Sequence, residues 1–196
     1  MRADSLTEEL LFRHRRAHEA QRHWCARDAT GPSVIRVFAK GTRPVLLASL
    51  LKLPVEDLRG LRDRAEFERW YEQQLAKVAS SLRKNNRDNE RIRPGIKWGH
   101  AAKILSIYLR GLVLHSRYFP DRVVRRVKPW LFVPVDSYTI KNLKRCKVQP
   151  PFNHIKDISA RKTFYFAQDV LAKHCGRGIA RIVFDDSWAD RSTPDQ

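Results

Sequence analysis

Apolar residues recur every three or four positions through most of the chain, which is the spacing of an amphipathic α-helix. The spacing predicts a long helix over residues 62–84, with one apolar face made by Phe67, Trp70, Tyr71, Leu75, Val78 and Leu82. It also predicts a helix over Trp98–Leu114, whose apolar face is wide enough for a buried position. We therefore expect this second helix to lie at the centre of the core.

The remaining segments also favour helix, because they are rich in Leu, Ala and long polar side chains. Further helices are predicted over residues 5–24, after Pro44, between Pro120 and Pro129, over 136–146 and over 159–175. Only residues 179–188, with the sequence IARIVFDDSW, have the character of a strand. The sequence therefore predicts a mainly α fold.

The composition is that of a globular protein, with 42% hydrophobic and 10% aromatic residues. No window approaches the roughly 18 apolar residues that a membrane span needs, so we expect no membrane partner. Three scattered cysteines, Cys25, Cys146 and Cys175, fit a reducing compartment better than a disulfide framework. We expect a cytoplasmic protein.

The charge is strongly unbalanced, because 39 Lys and Arg residues face 21 Asp and Glu residues and give a net charge of +18. Such a field attracts polyanions whatever the fold is. Nucleic acid is the leading partner on this basis. A surface that binds ribosomes or an acidic protein would carry the same charge.

The stretch WLFVPVDSYTIKNLKRC, residues 130–146, is an apolar run that ends at one acidic residue, Asp136, before a basic amphipathic helix. Cleavage of an N-glycosidic bond builds positive charge on the sugar, which a fixed carboxylate on the far side of the ring stabilises. Asp136 is suited to this role, because Pro134 and the apolar run would hold it rigid and partly dry. The alternative is a helix N-cap, which stabilises by about 1 kcal/mol without any chemical role.

Residues 94–146 follow the order of turn, buried helix, connector, apolar run, aspartate and helix. Two stretches here resemble motifs of the helix-hairpin-helix DNA glycosylases of base-excision repair. The hairpin of that family resembles RPGIKWGHAAKILSIYL, and its aspartate motif resembles VPVDSYTIKNL. The resemblance implies two helical lobes with the site between them, and Asp136 as the catalytic carboxylate.

Two positions depart from the pattern of this family. The second hairpin glycine, which usually follows the first by two residues, is displaced to Gly99. The lysine of the strand-cleaving members falls on Gly99 or Ala101, neither of which can form a Schiff base, while Lys97 and Lys103 miss that position. The resemblance therefore implies a monofunctional glycosylase that removes a damaged or modified base. A non-catalytic nucleic-acid-binding protein that keeps the fold is the alternative.

The resemblance also implies a division of the chain. We expect one folding unit over residues 1–196, with a helix-hairpin-helix core at 64–147 that carries the hairpin and Asp136. Residues 1–63 and 148–196 would form a second helical lobe. We expect a monomer that binds duplex DNA through its phosphates and a flipped base, without a cofactor.

The candidate site residues fall into two groups. The base pocket would be made by Trp98, His100 and Tyr138, for which packing in the core or on a helix surface is the alternative. The DNA backbone would be contacted by Arg93, Gly95, Lys97, Gly99, Lys103, Lys141, Lys144 and Arg145. A solvated basic face is the alternative for these cations.

Histidines in the N-terminal helix suggest a metal site only at first sight. His14 and His18 have the i, i+4 spacing of a chelating pair, with His23 and Cys25 nearby, but no paired cysteines complete a zinc finger. We expect a basic, solvated helix face here and no metal ion.

Overall fold

The computed structural model of the chain describes residues 3–38, 40–85, 97–145, 147, 150, 152–158, 160–176 and 179–183. Its α-helices are α1 Ala3–Ala29, α2 Pro32–Ile35, α3 Thr42–Leu51, α4 Arg64–Asn85, α5 Lys97–Arg110, α6 Asp121–Val127, α7 Ser137–Arg145 and α8 Arg161–Cys175. A π-helical turn, Gly111–His115, continues α5. Short 3-10 helices lie at Val55–Arg59, Lys128–Trp130 and Ile155–Asp157.

The mainly α class predicted from the sequence is confirmed, and the described residues contain no strand. The prediction of strand over 179–188 is wrong for residues 179–183, which form no strand, while 184–188 lie outside the described residues. A strand needs a neighbour that pairs with its backbone, and the described part of the chain offers none. None of the helices in that part is long and apolar enough to cross a membrane.

Helix α5 occupies the centre of the core, as its wide apolar face predicts. It contacts α1 on one side and α4 on another, and α4 contacts α3 in turn. The Tyr71 hydroxyl on α4 donates to the carbonyl oxygen of Ala102 on α5, at 3.0 Å, and lies 2.9 Å from the Ser106 hydroxyl. Buried apolar residues from α1 to residue 182 form one cluster, and the predicted division into two lobes stays a prediction.

Helix α1 is anchored to this core through its C-terminal half. Arg22 donates to the Tyr108 hydroxyl at 3.1 Å and also to the carbonyl oxygen of Leu53. The His18 ring lies 5.2 Å from the Tyr118 ring, and Cys25 is buried. The prediction of a solvated face is therefore wrong for His18, which lies on the same side of α1 as the buried Cys25 and packs against the core.

Residues Leu131 to Asp136 form an extended segment in which every residue is buried. The Gln168 side chain on α8 binds the middle of this segment. It accepts a hydrogen bond from the Val133 N–H at 2.8 Å and donates one to the Val133 carbonyl oxygen at 2.9 Å. Arg181 donates to the carbonyl oxygens of Leu131, at 2.9 Å, and of Trp130, at 2.8 Å. Side chains thus supply the hydrogen bonds that a neighbouring strand would supply in a sheet.

We expect Gln168→Leu to lower the free energy of unfolding by about 2 to 5 kcal/mol, because it leaves the buried Val133 N–H and C=O without partners. Urea denaturation measures the change. The matched control is Gln73→Leu at an exposed position of α4, for which we expect a change below about 0.5 kcal/mol. Equal effects of the two substitutions would contradict the role of Gln168.

Candidate functional site

Helix α7 separates a buried face from a basic exposed face. Its buried residues are Thr139, Ile140, Asn142 and Leu143. Its exposed residues are Ser137, Tyr138, Lys141, Lys144 and Arg145. The predicted group of cations on one side of this helix is therefore present in the structure.

Asp136 caps the N-terminus of α7. Its Oδ1 accepts hydrogen bonds from the N–H groups of Tyr138 and Thr139, both at 3.0 Å. The Thr139 hydroxyl lies 3.3 Å from the same oxygen and 3.0 Å from the carbonyl oxygen of Pro134. The N-cap interpretation of Asp136 is thus observed, and the cap holds the carboxylate in a fixed position with the residue only 7% exposed.

The second carboxylate oxygen of Asp136 pairs with Lys103 from α5. The distance from Lys103 Nζ to Asp136 Oδ2 is 3.2 Å, and the two side chains are 17% and 10% exposed. A carboxylate that is this buried requires an opposite charge or several hydrogen-bond donors. Lys103, predicted to contact DNA phosphate, therefore lies beside the candidate catalytic group.

This ion pair lies in a polar cleft that we call the Asp136 cleft. It has two parts, with volumes of about 280 and 160 Å³, which share Ser33, Arg36, Lys103, Asp136 and Ser137 among their lining residues. The larger part is also lined by Asp28, Arg110 and Tyr138. The cleft therefore combines a buried carboxylate with several cations and hydroxyl groups.

Two of the predicted base-pocket residues line the Asp136 cleft. His100 is 8% exposed, lines the smaller part, and packs edge-on against the Phe38 ring at 5.5 Å. Tyr138 lines the larger part and is 54% exposed. The cleft thus offers one buried imidazole and one accessible aromatic ring.

Trp98, the third predicted base-pocket residue, lies elsewhere. Its ring packs edge-on against Phe164 at 5.2 Å, and it lines a separate cavity together with Glu72 and Arg161. Trp98 and His100 are two residues apart on α5, so their side chains point about 200° apart around the helix. The placement of both residues in one pocket was wrong for that reason.

Gly99 does not lie on a DNA-binding surface, because it is buried. Its N–H donates to the carbonyl oxygen of Ile158 at 3.0 Å. A Cβ atom at this position would lie 2.6 Å from the carbonyl oxygen of Ile155 and 2.9 Å from Ile158 Cβ. The displaced glycine therefore allows the segment 155–158 to approach the first turn of α5.

Of the other residues predicted to contact the DNA backbone, some lie outside the described residues and some are exposed on α7. Arg93 and Gly95, with the whole predicted hairpin turn, lie outside the described residues, and so does the side chain of Lys97, the first residue of α5. Lys144 is exposed on α7 and donates to Asn153 Oδ1 at 2.7 Å. Their role in binding DNA stays a prediction.

Sequence reasoning missed two cations of the Asp136 cleft. Arg110 lies seven residues after Lys103, a spacing that returns to the same face of a helix, so α5 periodicity contained the signal. Arg36 comes from a short segment after α2, and no pattern in the sequence points to it.

A larger cavity lies between α3 and α4 and has a volume of about 800 Å³. It shares no lining residue with the Asp136 cleft, and its walls contain small and apolar residues with Lys52 and Lys77. None of the described residues that line it is acidic. The groups suited to acid–base or electrostatic chemistry therefore lie in the smaller Asp136 cleft.

Comparison of the chain with protein-family models, with curated proteins and with solved structures finds no match.

We expect Asp136→Ala to lower the free energy of unfolding by about 1 kcal/mol more than Asp136→Asn. Asn keeps an acceptor oxygen for the cap, whereas Ala removes it, and both substitutions remove the charge that pairs with Lys103. Urea denaturation of both variants measures the difference.

The matched control for the cap is Asp121→Ala in the first turn of α6, because Asp121 is exposed there and is not the capping residue. Its loss should cost less than about 0.5 kcal/mol. Equal stabilities of the Asn and Ala variants at position 136 would argue against the cap.

Proposed function

We propose that the protein binds DNA and acts as a monofunctional DNA glycosylase, with Asp136 as its catalytic carboxylate. The observation that carries the proposal is the position of Asp136. This residue, selected from the sequence, is 7% exposed, held by the first N–H groups of α7, and open to a polar cleft. A simple cap on the protein surface would require no cleft.

The chemistry would use the carboxylate against a developing cation. As the N-glycosidic bond breaks, its electron pair leaves with the base, and positive charge develops on the sugar ring. Asp136 would stabilise that charge and orient the water that adds to the sugar. The N–H groups of Tyr138 and Thr139 hold the carboxylate before the reaction, so little reorganisation of Asp136 itself is needed.

The DNA would run along the exposed face of α7. Lys141, Lys144 and Arg145 lie on that face, and the Asp136 cleft opens at the N-terminal end of the same helix. Phosphates held by the cations would leave a flipped base near Tyr138, whose accessible ring offers a stacking surface. The net charge of +18 supports a nucleic acid as the partner.

We also propose the two-lobe, helix-hairpin-helix arrangement for this fold. The walls of the Asp136 cleft support it, because Asp28, Ser33 and Arg36 come from the predicted second lobe. Lys103 and Asp136 come from the predicted core lobe, residues 64–147. A site between two lobes is the arrangement that the family resemblance implies.

One observation favours the non-catalytic alternative. Both oxygens of Asp136 already have partners, since Oδ1 caps α7 and Oδ2 pairs with Lys103. These contacts alone would explain a buried carboxylate in a DNA-binding protein. The two candidate functions therefore differ in one property, which is excision of a base.

We expect Asp136→Asn to abolish base excision while duplex binding stays within about twofold, because Asn keeps the cap but loses the charge. The measurement is formation of abasic sites on a panel of duplexes with damaged or modified bases. Asp121→Asn, which makes the same change at an exposed position, serves as the matched control. Full activity of Asp136→Asn would refute the catalytic role, and an inactive wild type on every substrate would favour the non-catalytic protein.

The same assay tests whether the enzyme is monofunctional. We expect an abasic product with an uncut strand and no covalent complex after borohydride treatment. Lys103 is the amine to examine if a complex forms, because its Nζ lies 3.2 Å from Asp136 Oδ2. Trapping that Lys103→Arg abolishes would replace the monofunctional mechanism by one with an amine nucleophile.

We expect DNA affinity to fall steeply with salt. About four to six phosphate contacts would give a slope of about −4 to −5 in a plot of log K against log salt. Lys141→Glu with Lys144→Glu should weaken binding to all sequences alike and flatten the slope by about two, because phosphate contacts do not read bases. Fluorescence anisotropy at several salt concentrations gives both quantities.

The control makes the same charge change on α1, through Arg15→Glu with Arg16→Glu, both exposed. We expect a smaller loss of affinity, because this part of α1 does not line the Asp136 cleft. If the α1 variant loses more affinity, the DNA binds another face and Asp136 loses its proposed role.

A further inference from the structure

A second cavity with a different chemical character lies at the other end of the extended segment. It has a volume of about 680 Å³ and is lined by residues of α4, α6, the following 3-10 helix, α8 and residues 179–183. Its charged lining residues are Arg64, Arg125, Lys128 and Arg181. We call it the Arg181 cavity, and it shares no lining residue with the Asp136 cleft.

Arg181 is an unusual residue because its guanidinium group is buried. The residue is 3% exposed, and its guanidinium carbon lies 4.2 Å from the centre of the Phe132 ring. Two of its nitrogens are used, since Nε and Nη2 donate to the carbonyl oxygens of Leu131 and Trp130. The third nitrogen, Nη1, is buried without a hydrogen-bond partner among the described groups.

A buried guanidinium is costly when, as here, it forms no ion pair with a described acidic group. Burial lowers the pKa of Arg181 to about 10, with the Arg64 charge acting in the same direction. Native proteins rarely leave a buried N–H unpaired, and they seldom bury a charge without a counterion. An anion in the cavity would supply the missing countercharge.

The charges around the cavity leave an excess of cations for such an anion. Arg64 is already engaged, with Nε 2.7 Å from Glu68 and a second nitrogen 3.8 Å from Asp169. Arg125 is exposed and Lys128 half-buried, and neither side chain forms an ion pair or a hydrogen bond with any described residue. Arg125 and Lys128 are therefore available to a ligand, whereas Nη1 of Arg181 is buried from solvent.

We propose that the Arg181 cavity binds a phosphate group, with Arg125 and Lys128 as donors and with the buried Arg181 charge adding to the attraction. Phosphate fits better than a carboxylate, because it offers more oxygens and up to two negative charges to three separate cationic groups. Pro129, Ala172 and Ile179 line the rest of the cavity and provide an apolar wall for the group that carries the phosphate.

This proposal does not depend on the glycosylase function, since the two sites have no residue in common. The phosphate could come from a small phosphorylated ligand or from a nucleic-acid backbone, and both share the chemistry recognised here. Binding is measured by calorimetry with three probes, namely inorganic phosphate, a nucleoside monophosphate and a short undamaged DNA duplex.

The test variant is Arg125→Gln with Lys128→Gln, which removes two cations that form no ion pair or hydrogen bond with described residues and so should leave the fold intact. The control is Arg122→Gln with Lys162→Gln, which makes the same charge change at exposed positions outside the cavity. Urea denaturation establishes that both variants are folded.

We expect the wild type to bind inorganic phosphate or the nucleoside monophosphate at one saturable site, and the test variant to lose about tenfold or more in affinity. The control should stay within about twofold. If only the duplex shows this difference between variants, the phosphate is that of a nucleic-acid backbone, and the proposal stands for that source. Equal losses in both variants, for every probe, would overturn it, because they would report net charge alone.

Discussion

The structure depends on one constraint, which is that the extended segment from Leu131 to Asp136 is buried without a neighbouring strand. A buried backbone needs partners for its N–H and C=O groups, and here side chains provide many of them. Gln168 serves both groups of Val133, and Arg181 serves the carbonyl oxygens at the start of the segment. The last residue of the segment then caps α7 with its own carboxylate. Arg181 therefore fixes the start of the segment and Asp136 fixes its end. Both side chains are charged and buried, so each also needs partners of its own.

This arrangement connects the two cavities through the extended segment and the hydrogen bonds that hold it. Arg181 holds the first carbonyl oxygens of the segment and lines one cavity, while Asp136 ends the segment and lines the other. Gln168 lies between them, with both of its polar atoms bonded to Val133. A displacement of the segment along its axis would break bonds at all three places. The position of the carboxylate is thus set by the core and not by surface loops.

Sequence periodicity predicted most of the helices, because apolar spacing depends on the geometry of a single helix. It located the buried α5 and the capped start of α7 correctly. Sequence periodicity did not predict the position of side chains that depends on contacts between different helices and segments. Trp98 lies on a face of α5 turned toward Phe164, and Gly99 is required by the approach of Ile155. Lys103 pairs with Asp136, which lies 33 positions later in the chain. Residues 179–183 likewise form no strand, because no other described segment pairs with them.

The N-cap role and the proposed catalytic role of Asp136 are compatible because both require a carboxylate in a fixed position. A helix N-terminus directs its free N–H groups at one oxygen, which fixes the orientation of the whole group. Electrostatic stabilisation of a cation needs a carboxylate whose position is set before the reaction, because the free energy of reorganising it would offset the stabilisation. The ion pair with Lys103 adds a second restraint, but it also offsets the charge that a sugar cation would meet. A substrate would therefore have to shift the ammonium away from Oδ2, and the neighbouring phosphates of a bound DNA strand are anions that could take it.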